Sequence, residues 1–190
     1  MNIAQFIQQE PKLRDQKEII IYGGSFNPWH SGHMSCLELA PKSIPIIIVP
    51  DNNPEKEIVS VAEKNQILDK IKKHLEKSDR GVFLYDGFLK LNRKNPSHQW
   101  TALLKTSYPN KDFSLLMGFD SFMGIDNWIQ SEALLQNITT LYIASRLEKT
   151  AQQAKQSDVL LSLNPTLRII FLGNHEFEHV SSTNIRNKIL

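Results

Sequence analysis

The feature that most constrains this chain is a short, uninterrupted apolar run that ends in two glycines. The run occupies residues 19–22, and Gly23 and Gly24 follow it directly. An apolar run without polar alternation is typical of a strand that is buried on both faces, as in a parallel sheet. Parallel neighbours need a crossover helix between them, so this run favours an α/β fold.

Similar apolar runs recur along the chain and alternate with segments of helical periodicity. A second run lies at 46–49, and a short helix is predicted for 33–40 between the two runs. Residues 60–63 form a capping box in front of a longer helix, predicted for 61–77. Further strands are predicted at 82–84, 113–117, 141–144 and 167–172, and further helices near 101–106, 131–136 and 148–156. This alternation predicts a doubly wound parallel sheet with helices on both faces, in a single domain.

The composition fits one folded domain and argues against several classes of protein. The chain has 190 residues, of which 41% are hydrophobic and 22% are charged. These values disfavour a disordered chain, a collagen-like repeat and a coiled coil. The formal net charge of +2 is too small for a dedicated nucleic-acid or membrane binder. Any contact with a polyanion is therefore expected to be local.

The single cysteine and the N-terminal segment bear on compartment and domain limits. Cys36 cannot form an internal disulfide, which fits a reducing compartment, and we expect it to be a small buried group on a helix. No run is long enough for a signal peptide or a membrane span, so a cytoplasmic protein is expected. We divide the chain into a polar arm, 1–17, and the folded domain, 18–190; Ile3, Phe6 and Ile7 can form a small packing stripe in the arm.

The segment after the first predicted strand carries the chemistry. Residues 23–33 read GGSFNPWHSGH. The two leading glycines let the chain turn sharply and let backbone N–H groups approach an anion, and Gly32 leaves room for a phosphate at the start of the next helix. His30 and His33 would face the same ligand and offer N–H donors to a phosphoryl group. The segment therefore predicts a phosphate-handling site.

This segment resembles the signature of the HxGH nucleotidylyltransferase superfamily, G-G-[ST]-F-[DN]-P-x-H-x-G-H, at every defined position. The resemblance implies a Rossmann-like nucleotidylyltransferase domain in which His30 and His33 are catalytic. It also implies Asn27 as a substrate contact. The residues of this segment that it implies for ATP binding are Gly23, Gly24, Ser25, Phe26, Gly32 and His33.

A second segment, SSTNIR, begins at Ser181 and resembles the superfamily motif I-S-S-T-x-[IV]-R. Hydroxyl side chains can cap a helix, and N–H groups at a helix start can hold phosphates. The resemblance implies that Ser181, Ser182 and Thr183 hold the β- and γ-phosphates of ATP, and that Arg186 pairs with them. The chain reaches Leu190 one turn later, so we expect amide exchange in this short helix to slow when ATP binds.

A third group of residues indicates the class of substrate. Gly118, Asp120 and Trp128 resemble the G-x-D…W pattern of the nicotinate mononucleotide adenylyltransferases. In that family the aspartate lies near ribose and phosphate groups, and the tryptophan stacks on the pyridine ring. The resemblance implies ATP binding by Gly118 and Asp120 and a substrate contact by Trp128. An N-cap role for the aspartate and a core role for the tryptophan are the alternatives.

Two further matches to this family are partial. The segment that contains Ser97, Trp100 and Thr101 falls where the family carries S-Y-T-x-D-T-L, which meets the pyridine carboxylate. The resemblance implies substrate contacts for these three residues, although Trp100 is equally compatible with the core. Arg146 resembles a strand-end arginine that we would place near ATP, and a solvated arginine is the alternative.

The loop after the second predicted strand departs from the family. The family carries P-P-H-K where this chain has NPEK at 53–56. Lys56 is retained as an implied substrate contact, but Glu55 places a negative charge where an imidazole is expected. Phosphate recognition is therefore rearranged, or the substrate differs. This loop and the loop at 92–97 both follow predicted strands, which makes them candidate substrate loops.

The residues and the resemblance together predict adenylyl transfer from ATP to the 5′-phosphate of nicotinate or nicotinamide mononucleotide, with release of pyrophosphate in NAD biosynthesis. Mg²⁺ is expected to bind the ATP phosphates without a metal site in the protein. The expected partners are ATP and a pyridine mononucleotide, with no nucleic acid and no membrane, and the oligomeric state stays open. Two alternatives remain: a non-catalytic nucleotide sensor of the same fold, and a transferase for another phosphate substrate such as pantetheine phosphate or glycerol phosphate.

Overall fold

One parallel sheet forms the centre of the molecule. A computed structural model describes residues 1–51, 60–76, 80–91, 95–144, 150–177, 180 and 182–186. The strands are β1 (Glu18–Gly24), β2 (Ile46–Pro50), β3 (Val82–Leu84), β4 (Asp112–Gly118), β5 (Thr140–Ala144) and β6 (Arg168–Gly173). Their order is β3-β2-β1-β4-β5-β6, and every neighbouring pair is parallel. The predicted doubly wound sheet is confirmed.

Helices connect the strands and flank the sheet. They are α1 (Ile3–Gln9), α2 (Pro11–Arg14), α3 (Ser31–Leu39), α4 (Val61–Leu75), α5 (Ser97–Ser107), α6 (Phe119–Gly124), α7 (Ser131–Gln136), α8 (Thr150–Leu163) and α9 (Ser182–Arg186). The helix predicted at 148–156 extends to Leu163, because the buried Leu160 belongs to the core. Among the described residues, no helix has the length and apolar character needed to cross a membrane.

The two faces of the sheet carry separate hydrophobic cores. Successive residues of a strand point to opposite faces. Ile19 and Ile21 join the core cluster that lies under α1, α2 and α5–α8, whereas Ile20 and Tyr22 join the cluster under α3 and α4. All four side chains are buried. The prediction of helices on both faces is therefore confirmed.

Polar contacts fix the ends of the two helices on the second face. At the start of α4, the N–H of Glu63 donates to Oγ of Ser60 at 3.3 Å, and the N–H of Ser60 donates to Oε2 of Glu63 at 2.8 Å, as the capping box predicts. At the end of α3, the guanidinium of Arg80 donates to the carbonyl oxygens of Ala40 at 2.9 Å and Pro41 at 2.6 Å. Burial lowers the pKa of Arg80. The helix that carries His33 is thus held from its far end.

The arm at 1–17 folds into α1 and α2, which pack on the first core. Ile3, Ile7 and Leu13 are fully buried there, so the apolar stripe contributes to the core. The ammonium of Lys111 donates to the carbonyl oxygens of Leu13 at 3.3 Å and Arg14 at 3.1 Å, where α2 ends. A cation suits the partial negative charge at a helix C-terminus. The arm is therefore anchored both by apolar packing and by a buried lysine.

Candidate functional site

A cavity of about 810 Å³ opens at the carboxyl ends of the central strands. Gly23 and Gly24 at the end of β1 and Gly118 at the end of β4 line it. β1 and β4 are neighbours in the sheet, but the chain continues from β1 to β2 on one side and from β4 to β5 on the other. The connections that follow these two strands therefore diverge at this point. Ligands of doubly wound sheets bind where the connections diverge. The volume is at the upper end of the range of ligand pockets.

The first turn of α3 fixes the two histidines through backbone hydrogen bonds. The N–H of Gly32 donates to Nδ1 of His30 at 3.1 Å, and the N–H of His30 donates to Nδ1 of His33 at 3.3 Å. The two rings stack with their centroids 3.7 Å apart. An imidazole nitrogen that accepts a hydrogen bond carries no proton, so each neutral ring has its proton on Nε2. Both rings line the cavity, and the hydrogen-bond pattern assigns Nε2–H as the donor of each neutral ring.

Gly32 leaves the space that this arrangement needs. A β-carbon at this position would lie 3.0 Å from Cε1 of His30 and 3.2 Å from the backbone oxygen of Val180. Both distances are shorter than an ordinary carbon contact. A side chain would therefore displace either the ring or the segment that leads into α9.

Aromatic side chains enclose the ring of His33. The ring packs against Trp29 with the centroids 5.2 Å apart and the planes 24° apart, and it meets Phe26 edge to face at 5.0 Å. Phe26 has a φ of 48°, a strained conformation for a bulky residue and one that is frequent at functional sites. Phe26 lines the cavity and also supports His33. Trp29 is a positioning residue that sequence reasoning missed; an aromatic residue at the variable motif position was the available signal.

The C-terminal motif contacts the turn that precedes α3. Oγ of Ser182 donates to the backbone oxygen of Pro28 at 3.1 Å, and the guanidinium of Arg186 donates to the backbone oxygen of Asn27. Ser182 and Arg186 both line the cavity. Two motifs from opposite ends of the sequence thus form one wall, which we call the phosphate side. Ser181 and the side chain of Thr183 lie outside the described part of the chain.

Gly118, Asp120 and Trp128 all line the cavity. A β-carbon at Gly118 would meet no atom within 4 Å, so this position faces open space. Asp120 is exposed in the first turn of α6, whose N-cap is Gly118, so the alternative of an N-capping aspartate does not apply. Trp128 follows the short 3₁₀ helix Ile125–Asn127 and is 38% exposed. Its place is the rim of the cavity and not the core.

A second group of lining residues, which we call the base side, consists of Phe88, Trp128 and the start of α5, and Ser25 also lines the cavity. Pro96 is the N-cap of α5 and has no side chain that accepts a hydrogen bond, and the first turn has no acidic residue. The helix dipole places partial positive charge at this end. Since Pro96, Ser97 and Trp100 line the cavity, this end of the helix fits an anionic ligand group.

Two predicted substrate contacts lie away from the cavity. Thr101 is fully buried. Its Oγ1 donates to the backbone oxygen of Ser97 at 2.8 Å, so its hydroxyl group is hydrogen-bonded within the helix. Asn27 lines a small crevice beside α4 on the outer side of the turn. The side chain of Thr101 faces the interior and Asn27 lines the crevice, so neither lines the cavity as a substrate contact would. Lys56 and Arg146 lie outside the residues that the structure describes.

Two polar pairs at the cavity are not evident from sequence spacing. Nδ2 of Asn95 donates to Oδ1 of Asp51 at 3.1 Å, which joins the two predicted substrate loops. Sγ of Cys36 lies 4.0 Å from Nε2 of His175, and Cys36 is buried on α3 as predicted. The partners in each pair come from distant segments, so only the tertiary structure brings them together.

Several known proteins resemble this chain over most of its length. A family model described as Cytidylyltransferase-like matches residues 21–188. A relative from Leptospira interrogans, named probable nicotinate-nucleotide adenylyltransferase, is 30% identical over 173 residues, which are 87% of this chain and 82% of the relative. A protein of the same name from Fusobacterium nucleatum is 29% identical and covers 90% of this chain and 87% of its own length. Plasmodium falciparum nicotinic acid mononucleotide adenylyltransferase, solved in complex with NaAD, shares the fold with a TM-score of 0.70 at 22% identity, over 90% of this chain and 83% of that chain.

Proposed function

The chain belongs to the cytidylyltransferase-like family, among its nicotinate-nucleotide adenylyltransferases, and we propose that it transfers the adenylyl group of ATP to the 5′-phosphate of nicotinate mononucleotide. The observation that carries this proposal is the stacked pair of His30 and His33, which line the cavity and whose Nδ1 atoms accept backbone hydrogen bonds. We assign the reaction to NAD biosynthesis in the cytoplasm, where a chain with one cysteine is expected.

The chemical step is an in-line displacement at the α-phosphorus of ATP. A 5′-phosphate oxygen of the mononucleotide forms a new bond to the α-phosphorus, and the bond from that phosphorus to the bridging oxygen breaks. The electron pair leaves with pyrophosphate, and the product is the dinucleotide. The attacking oxygen is already an anion, so no general base is required. Holding both nucleotides in one cavity can supply about 7 to 11 kcal/mol of the barrier reduction.

The phosphate side stabilises the charge that develops on the transferring group. His30 and His33 each donate Nε2–H to phosphate oxygens, and their backbone hydrogen bonds hold the rings in place before the reaction starts. Arg186 lines the cavity, and its forked guanidinium pairs with the triphosphate. The turn and α9 are joined by the contact of Ser182 with Pro28, so both sets of donors act on one ligand.

The donor set of the cavity fits a magnesium ion that is held through the nucleotide. The described part of the chain contains no group of three or more His, Cys, Asp or Glu side chains that could hold a metal ion. Mg²⁺ often keeps its waters and binds substrate phosphates. When bound, it neutralises phosphate charge during the transfer. His30, His33 and Arg186 would hold the phosphates that carry the ion.

The base side favours the acid over the amide. Nicotinate mononucleotide carries a carboxylate on its pyridine ring, whereas nicotinamide mononucleotide carries a neutral amide. The start of α5 offers positive dipole charge at Ser97, and no acidic side chain lies in its first turn. We therefore assign the ring carboxylate to this helix end and the ring face to Trp128.

The test is a turnover assay with ATP, Mg²⁺ and either nicotinate or nicotinamide mononucleotide, in which pyrophosphate and the dinucleotide are both measured. We expect product from both assays, with kcat/KM about 10-fold higher for the acid because of the helix dipole. His33→Ala protein prepared in the same way shows whether a contaminating enzyme supplies the activity. Binding of both ligands without pyrophosphate would contradict the proposal and indicate a sensor. Turnover only with another phosphate substrate, or with CTP in place of ATP, would contradict it as well.

A further inference from the structure

We propose that the N-terminal arm positions the base side of the cavity through a row of four aromatic rings, and so sets the affinity for the pyridine mononucleotide. The row consists of Phe6 from α1, Tyr85 and Phe88 from the segment after β3, and Trp100 from α5. The proposal rests on the function proposed above, because that function places the pyridine ring on the base side. It assigns a positioning role to residues that contain no catalytic group.

The rings of the row contact one another in sequence from the arm to the cavity. The centroids of Phe6 and Tyr85 are 5.5 Å apart, those of Tyr85 and Phe88 are 5.0 Å apart at 85°, and those of Phe88 and Trp100 are 6.2 Å apart. Aromatic pairs at these separations prefer edge-to-face or offset geometry. Phe88 and Trp100 line the cavity, so the last two rings form part of its wall.

Hydrogen bonds fix the arm next to the first ring pair. The hydroxyl of Tyr85 donates to the backbone oxygen of Met1 at 3.2 Å, and the hydroxyl of Tyr108 donates to the backbone oxygen of Ala4 at 2.8 Å. Tyr85 is itself buried, and burial raises its pKa. Tyr85 therefore contacts the arm twice, through its hydroxyl and through Phe6, and its ring cannot turn without disturbing both contacts.

Gly87 limits the position of Tyr85 from within the same segment. A β-carbon at Gly87 would lie 2.3 Å from Oη and 2.4 Å from Cζ of Tyr85. The tyrosine ring thus occupies the space where a side chain at 87 would be. Since Phe88 follows directly, any movement of Tyr85 is passed to a residue of the cavity wall.

The row affects the base side without affecting the phosphate side. Phe6, Tyr85, Phe88 and Trp100 belong to or pack against the core on one face of the sheet. Phe26 and Trp29, which support His33, belong to the core on the other face. A change in the arm is therefore expected to alter binding of the mononucleotide and to leave binding of ATP unchanged.

Steady-state kinetics of Phe6→Ala test the proposal. We expect KM for nicotinate mononucleotide to rise about 5-fold, which corresponds to loss of one aromatic pair, while KM for ATP and kcat stay within about 2-fold of the wild type. Phe6→Tyr retains the ring and is expected to keep the wild-type KM. Gly87→Ala displaces Tyr85 without changing any residue of the arm and is expected to raise the same KM, which covers the case in which Phe6→Ala does not fold.

Tyr108→Phe is the matched control. It removes the hydrogen bond that holds the arm at Ala4 and lowers the melting temperature, but it leaves all four rings of the row in place, so the mononucleotide KM is expected to rise less than in Phe6→Ala and the ATP KM to stay unchanged. An unchanged mononucleotide KM in Phe6→Ala and Gly87→Ala would overturn the positioning role. So would an equal rise of both KM values, or a rise in Tyr108→Phe as large as in Phe6→Ala. The wild type is measured alongside the variants. If the wild type turns over and the arm variants have no effect, only this inference is contradicted. If the wild type neither binds nor converts the mononucleotide, the proposed function is contradicted.

Discussion

The two sides of the cavity are built in different ways. On the phosphate side, the hydrogen bonds that orient His30 and His33 join residues no more than three positions apart. On the base side, Phe88, Trp100 and Trp128 come from three separate segments and are placed by packing. The orientation of the two histidines is therefore encoded locally, whereas the base side, like the contact of α9 with the turn, depends on how distant parts of the chain fold together.

This difference has consequences for substitutions. A local hydrogen-bond geometry survives changes elsewhere in the fold, so only residues of the turn itself are expected to alter it. A packed wall responds to changes in any element behind it, because protein interiors transmit small displacements. Catalytic rate is accordingly expected to depend on the phosphate side, and selectivity for the second substrate on the base side.

His33→Ala tests the phosphate side most directly and has the largest expected effect. Loss of one preorganised donor lowers kcat by about 100-fold or more. His74→Ala is the matched control, because His74 contacts the same Trp29 ring at 6.1 Å but does not line the cavity. Steady-state turnover with both variants, together with circular dichroism, separates the loss of a donor from the loss of packing. Full turnover in His33→Ala would remove this residue from the mechanism.

Gly118→Ala probes the end of β4, where the two sides meet. A β-carbon there has no protein atom within 4 Å and extends into the cavity, so we expect a rise of about 10-fold in KM for ATP with little change in stability. Gly124→Ala adds the same methyl group at another open position that does not line the cavity. If the two variants have the same KM for ATP, the nucleotide does not approach Gly118 closely.

Ser97→Asp tests the charge on the base side. A carboxylate in the first turn of α5 would repel the ring carboxylate, so kcat/KM for the acid mononucleotide should fall about 5-fold, and that for the amide should fall less. Ser107→Asp introduces the same charge at the other end of the same helix. If Ser97→Asp lowers kcat/KM equally for both mononucleotides, the helix end does not interact with the ring carboxylate.

Arg80→Met has the smallest expected effect on activity, because it acts on the far end of α3. The substitution leaves the carbonyl oxygens of Ala40 and Pro41 without their donor, and we expect the free energy of unfolding to fall by about 2 kcal/mol. Urea denaturation measures this change. Arg168→Met removes an exposed arginine and serves as the control, with an expected change within about 0.5 kcal/mol. A large loss of turnover in Arg80→Met would show that the orientation of His30 and His33 depends on the far end of α3 as well as on the local hydrogen bonds.

The same difference between local and long-range contacts limits what the sequence predicts. The strands, most of the helices and the capping box at Ser60 were predictable, because apolar periodicity and capping depend on neighbouring residues. The motif around His30 and His33 was evident for the same reason. The placements of Thr101 and Asn27 were not predictable, since which way a side chain faces depends on the register of its element against the core.

By itself, the sequence determined a parallel α/β sheet, a turn that presents two histidines, and a second motif at the other end of the chain. Only the tertiary structure decided that Ser182 meets Pro28, that Asp51 pairs with Asn95, and that the arm reaches the cavity through a row of rings. The physical reason is the range of the interactions. Hydrogen bonds within a turn are set by residues a few positions apart, whereas packing between rings depends on the positions of all the elements that carry them.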